Sequence, residues 1–225
     1  MILFDNLELS SLEKAIQDLY RVFSKYKKPL SFSTCECCVS EQEMKFLLSK
    51  PLKSLTAGEL EGYESCVLGT IGAENDFKYF FPRILELHVT DQFSYPESIT
   101  GKLKKIHWQN WPAEDQQTIH KVFDEKLNLL FSDIELFDVV ENINDWICAI
   151  AICVHDITPY LNKLMESDNE EALKNFVECN IPSIYLNKMD GVYWESAPHN
   201  AQVTLNFLNQ EKLKKLLPNG FQKAK

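Results

Sequence analysis

The stretch PAEDQQTIHKVFDEKLNLLFS, residues 112–132, decides the fold class. Counting from Ile119, the apolar residues Val122, Phe123, Leu127, Leu130 and Phe131 follow at offsets of three, four, eight, eleven and twelve. That spacing lines one face of an α-helix. Pro112 stands at the entry, where a missing backbone donor costs nothing, and Glu114 and Asp115 place negative charge at the positive end of the helix dipole. The spacing therefore predicts a long amphipathic helix.

Working outward, three more helix starts are written in capping chemistry. Ser10 with Glu13, Ser40 with Glu43 and Thr56 with Glu59 each have the three-residue spacing at which two side chains satisfy each other's backbone donors. Behind the first, Leu12, Ile16, Leu19, Tyr20 and Phe23 form a one-sided stripe, and Pro29 is expected to close that helix. Weaker starts are Asn75 before residues 77–87, Asn142 or Asn144 before the apolar run from Trp146, and Asp168 before residues 170–179. Residues 89–99 contain Pro96 and read as a loop that could subdivide a single helical domain spanning 1–225. Near the C-terminus, Val203, Leu205 and Phe207 alternate with polar residues and admit a short β-hairpin. Leu208, Leu213, Leu216 and Leu217 continue at helical spacing, so helix is the preferred reading. Residues 218–225 are polar and basic and are expected to fray.

Openings at Ser10, Ser40, Asn75, Trp111 and Asn144 recur every 30 to 36 residues, the length of a helical hairpin. The expected fold is all-α, an irregular stack of helical hairpins resembling a HEAT-like superhelix. Only 7 of 225 residues are glycine, which disfavours folds built on glycine-rich phosphate loops. The N-terminus lacks a basic region and a small-residue cleavage site, so the mature chain is expected to begin at Met1. The longest apolar run, residues 146–154, falls far short of a bilayer span. Seven cysteines, four of them within apolar helical stretches, suit reduced thiols in the cytoplasm rather than a disulfide framework.

Charge is unevenly distributed. The net charge is −10, which disfavours direct binding to nucleic acid or to an anionic membrane. Between Asp133 and Glu171 ten acids face Lys163 alone, a net of −9 in 39 residues, so the other 186 residues carry −1. Like charges so concentrated repel one another, and a basic partner would explain them, although a solvated acidic face would carry the same pattern. Candidate contact residues are Asp133, Glu135, Asp138, Glu141, Asp145, Glu166 and Asp168.

Other motifs point to chemistry less directly. Cys35, Cys37 and Cys38 precede the Ser40 helix and offer three soft ligands, with Cys66 or His88 as a distant fourth. Adjacent cysteines fit the usual zinc spacing poorly, and ordinary thiols are the first reading. His155-Asp156 resembles the doublet of HD-type metal-dependent phosphohydrolases, with His120 and Asp190 as the further ligands such an enzyme would need. A histidine closing a core helix explains the doublet more simply. Nucleophile-elbow, zincin and phosphate-loop motifs are absent, so no enzyme class and no cofactor is expected. Trp108, Trp111 and Pro112, beside Lys102, Lys104 and Lys105, form an aromatic cluster suited to stacking, to anchoring a protein, or to plugging a helix junction.

The order Cys35-Glu-Cys-Cys38, Pro51-Leu52, Leu55-Thr56, Glu59-Leu60, Tyr63 and then residues 77–87 (FKYFFPRILEL) resembles a group of bacterial helical proteins, some of them immunity proteins of polymorphic or contact-dependent toxin systems. The resemblance covers roughly residues 30 to 90. It implies a cytoplasmic, non-catalytic inhibitor of a cognate toxin, commonly a nuclease. A nuclease presents a basic groove that a carboxylate-rich surface can occupy in place of phosphates. The alternatives are an HD-type phosphohydrolase and a helical scaffold with a cysteine metal site.

Overall fold

The computed structural model describes residues 10–31, 40–132, 139–167 and 169–217, with no side chains described for 139–142. Residues 1–9, 32–39, 133–138, 168 and 218–225 lie outside the described residues, and with them the expected fraying of the C-terminus and the cluster Cys35, Cys37 and Cys38. The described chain is all-α. Its twelve α-helices are α1 (Ser11–Phe23), α2 (Glu41–Ser49), α3 (Ala57–Cys66), α4 (Glu74–Val89), α5 (Glu97–Lys105), α6 (Ala113–Ser132), α7 (Val139–Cys153), α8 (Thr158–Glu166), α9 (Glu170–Cys179), α10 (Ile181–Leu186), α11 (Pro198–Leu208) and α12 (Glu211–Lys214). Among the described residues the only β-pairing is an isolated bridge between Val67 and Ile71.

The three capping boxes form with both halves in place. Ser10 Oγ accepts from Glu13 N at 3.2 Å while Glu13 accepts from Ser10 N at 2.8 Å. Ser40 with Glu43 and Thr56 with Glu59 repeat the exchange at the starts of α2 and α3. At α9 the cap is Asn169 rather than Asp168: its side-chain oxygen accepts from Glu171 N and Ala172 N at 3.1 and 3.2 Å.

Three sequence expectations need correction. Residues 89–99 are not one loop, because α4 runs to Val89 and α5 opens at Glu97. The first helix ends at Phe23, well before Pro29. The alternating residues 203–207 lie in α11, so no hairpin forms there.

Two compact units divide the chain. The first contains described residues up to Glu86 together with Trp111–Lys126. Its core is aromatic: Phe23 lies 5.2 Å from Phe81 and 6.0 Å from Trp111, ring centre to ring centre. Trp111 is a core plug, its Nε1 donating to Glu74 at 2.9 Å and its ring carrying the Lys78 ammonium at 4.5 Å. Asp115, fully buried in the first turn of α6, accepts from both Lys25 and the Tyr26 hydroxyl and so ties down the chain that leaves α1. Burial and that carboxylate push the Tyr26 hydroxyl well above the usual tyrosine range.

The second unit contains Leu87–Asn110 and the described chain from Leu127 onward. Its centre is α7, where residues 146–153 are all buried. A helix that is apolar all round must be covered on every side. Helices α5, α9 and α11 and the 3₁₀ turn Val192–Ser196 supply that cover. Gly191, at φ +112°, makes the bend into the 3₁₀ turn that a side chain would strain. The C-terminal carbonyls of α7 are capped from outside: Trp108 Nε1 and Gln109 Nε2 donate to Cys153 O, and Asn200 Nδ2 donates to Ala151 O and Val154 O. Trp108 is fully buried and plugs this junction, so neither tryptophan of the cluster is offered for stacking. No described helix is long and apolar enough to cross a membrane.

Candidate functional site

Helix α5 begins at Glu97 and packs along α7, on which Asp145 and Cys148 are three residues apart and so share a face. The 3₁₀ turn carrying Val192 and Tyr193 packs on α7 as well. These elements bring two carboxyls, a thiol and exposed aromatic residues within electrostatic reach of one another. Glu97 is only 7% exposed and makes no ion pair among the described residues. Burial first, and then the charge of Asp145, push its carboxyl up to about 7. A hydrogen bond to its own backbone pulls the other way, and burial prevails, favouring the neutral form. Burial, Glu97 and Asp145 together push the Cys148 thiol far up, so that it is inert as a nucleophile. The Tyr193 hydroxyl is raised by burial and by the charges of Glu97, Tyr95 and Cys148. Tyr95 and Val192 are 71% and 75% exposed, so an apolar and aromatic surface borders the acidic pair.

The seven acids singled out from sequence fare unequally. Asp133, Glu135, Asp138 and Asp168 lie outside the described residues. Glu141 falls in the first turn of α7, its side chain also undescribed. Asp145 is half-buried on α7 and belongs to the pair with Glu97. Glu166, exposed at the end of α8, borders a different feature, an open groove of about 640 Å³ that Phe131, Lys163 and Asn169 also line. Elsewhere in the acidic stretch, Glu170 and Glu171 are exposed, and Glu171 pairs with Lys174 at 3.5 Å.

Glu97, Tyr95 and Tyr193 escaped the sequence reading. A signal for Glu97 existed: Pro96-Glu97 opens a segment with Ile99 and Leu103 four apart and Lys102, Lys104 and Lys105 in the last turn.

The doublet His155-Asp156 sits just beyond α7, both residues exposed. Asp156 accepts from Thr158 N at 2.9 Å, and that bond, with the nearby His199 and His155, holds its carboxyl below the usual range. Of the further ligands an HD-type enzyme needs, His120 belongs to the first compact unit, where burial lowers its affinity for a proton. Among the described residues no three His, Cys, Asp or Glu side chains are grouped so as to hold a metal ion. Cys66 is half-buried at the end of α3, and the buried His88 ring lies 4.9 Å from Phe93. No family model, curated protein or solved structure matches the chain.

Proposed function

We propose that this chain is a non-catalytic binding protein whose acidic surface captures a basic protein. The partner we favour is a nuclease-type toxin domain, which makes the chain a cytoplasmic immunity protein. One observation carries the reading: a buried carboxyl with no ion pair among the described residues, Glu97, lies within electrostatic reach of Asp145 and Tyr193, with the exposed Tyr95 two residues before it. Tyrosines supply rigid contact area and stack on guanidinium groups, and carboxylates pair with them, so the patch complements an Arg-rich surface. The net charge of −9 between residues 133 and 171 supplies the long-range attraction. The resemblance over residues 30 to 90 supplies the toxin.

The test is binding of the purified chain to a toxin domain from an adjacent gene, and adjacent genes that encode none would count against the toxin reading. Combining Asp145→Ser with Tyr193→Ala is expected to weaken affinity by about a hundredfold, since paired anchors and charges at an interface centre each carry about 1–3 kcal/mol. Unchanged affinity in a variant that still folds would remove this surface from the account.

A further inference from the structure

A second feature of the larger unit is independent of the acidic surface. Beyond the C-terminal end of α7 lies an open cavity of about 550 Å³. Three of the chain's five histidines, His107, His155 and His199, line it together with Lys104, Asn110 and Asn200; no described carboxylate lines it, and Asp156 lies near enough to act on His155 and His199. Lys104 is the one formal charge among these lining residues.

The lining is a surface of donors. The α7 carbonyls that face this way are already occupied by Trp108, Gln109 and Asn200. His155 and His199 stack on each other with ring centres 6.4 Å apart, and neither imidazole makes a hydrogen bond to a described residue. Two facing imidazoles repel when both are charged, and an anion between or beside them relieves that repulsion. Lys104 bonds to the Ser196 carbonyl at the edge of the same cavity. His107 is held at φ +49°, a left-handed conformation that costs a non-glycine residue on the order of 1 kcal/mol. Two backbone bonds maintain it, His107 N to Lys104 O at 3.1 Å and Asn110 N to His107 O at 2.8 Å. Strain of this kind concentrates at ligand sites.

We infer that this cavity binds a phosphoryl dianion, either free phosphate or the phosphate of a small phosphomonoester. Three acceptor oxygens and two negative charges match several convergent imidazole and ammonium donors better than a carboxylate does. The cavity exceeds a phosphoryl group, and its apolar wall, Ala151, Ile152 and Val154, suits the organic part of an ester. The charged groups that act on the two stacked rings are Lys104 and His107 within the cavity and Asp156 outside it, whose carboxylate is engaged by Thr158 N.

The experiment is a titration of the full chain with inorganic phosphate and with phenyl phosphate, reading the imidazole carbon-bound protons by NMR. At pH about 7.5 inorganic phosphate and a phosphomonoester are both mostly dianionic, so the two ligands are compared at like charge. Saturable shifts of the His155 and His199 signals are expected, weakened about tenfold by His199→Gln or Lys104→Ala. Tighter binding of phenyl phosphate assigns the site to an ester, and equal binding assigns it to free phosphate. His155 and His199 are exposed, so their replacement leaves the core intact, and retained helicity confirms this. Shifts that do not saturate, that chloride reproduces at equal ionic strength, or that survive His155→Gln combined with His199→Gln would overturn the inference.

Discussion

The Glu97 carboxyl, on α5, lies within reach of the Asp145 charge, on α7, and burial together with that charge pushes it up to about 7. Near neutral pH the Glu97 carboxyl is therefore only partly ionised. A cation that docks there draws out the remaining proton.

That coupling gives a stability prediction. A carboxyl raised in the folded state stabilises the fold below its unfolded value of 4.5, and this contribution is lost as pH rises toward 7. Glu97→Gln should accordingly be near neutral at pH about 4 and stabilising by about 1–3 kcal/mol at pH about 8. Urea unfolding at the two pH values reads the difference.

It also gives a binding prediction. An arginine or lysine that pairs with Glu97 stabilises its ionised form, so complex formation should release a proton near pH 7 and strengthen as pH rises from about 6 to about 8. Calorimetry in two buffers of different ionisation enthalpy measures the proton, and Glu97→Gln should abolish its release.

Asn200 fastens the end of α7. Its side chain donates to two carbonyls at 2.7 and 3.0 Å and accepts from Ile157 N at 3.2 Å, all in a buried position. Asn200→Ala leaves these backbone groups without partners, at a cost of about 2–4 kcal/mol. Denaturant midpoints at unchanged m-value would show it.

Thr204, four residues further along α11, is fully buried and its hydroxyl finds no hydrogen-bond partner in the described structure. Thr204→Val keeps the shape and removes the unpaired group, so a gain of about 1 kcal/mol is expected in the same unfolding assay.

How far these features could be read from sequence depends on how local their causes are. The capping boxes at Ser10, Ser40 and Thr56 were legible because both partners lie three residues apart. Helix α5 was only partly legible: its Pro96-Glu97 opening and basic last turn are helix signals, but Thr100 and Gly101 are poor helix formers and its packing against α7 sustains it. The strand-like alternation at residues 203–207 competes with the helical spacing preferred there, which α11 bears out, because polarity does not track burial: Asn200, Thr204, Phe207 and Leu208 form the inward face at helical spacing, two of them polar. The acidic excess was legible as a count. Its relation to Glu97 was not, since that neighbour arrives from a distant helix, and neither was the gathering of His107, His155 and His199 from three separate segments.

The central claim is that carboxylates between residues 133 and 171 draw in a basic partner. The most direct measurement is the association rate with the proposed basic toxin domain, taken from about 50 to about 300 mM salt. The wild-type chain should associate markedly more slowly as salt rises, and replacing Glu135, Asp138, Glu141 and Glu166 with Ser should lower the rate and flatten that dependence. A rate indifferent to salt in the wild type, or an equally steep dependence after the four replacements, would contradict the account.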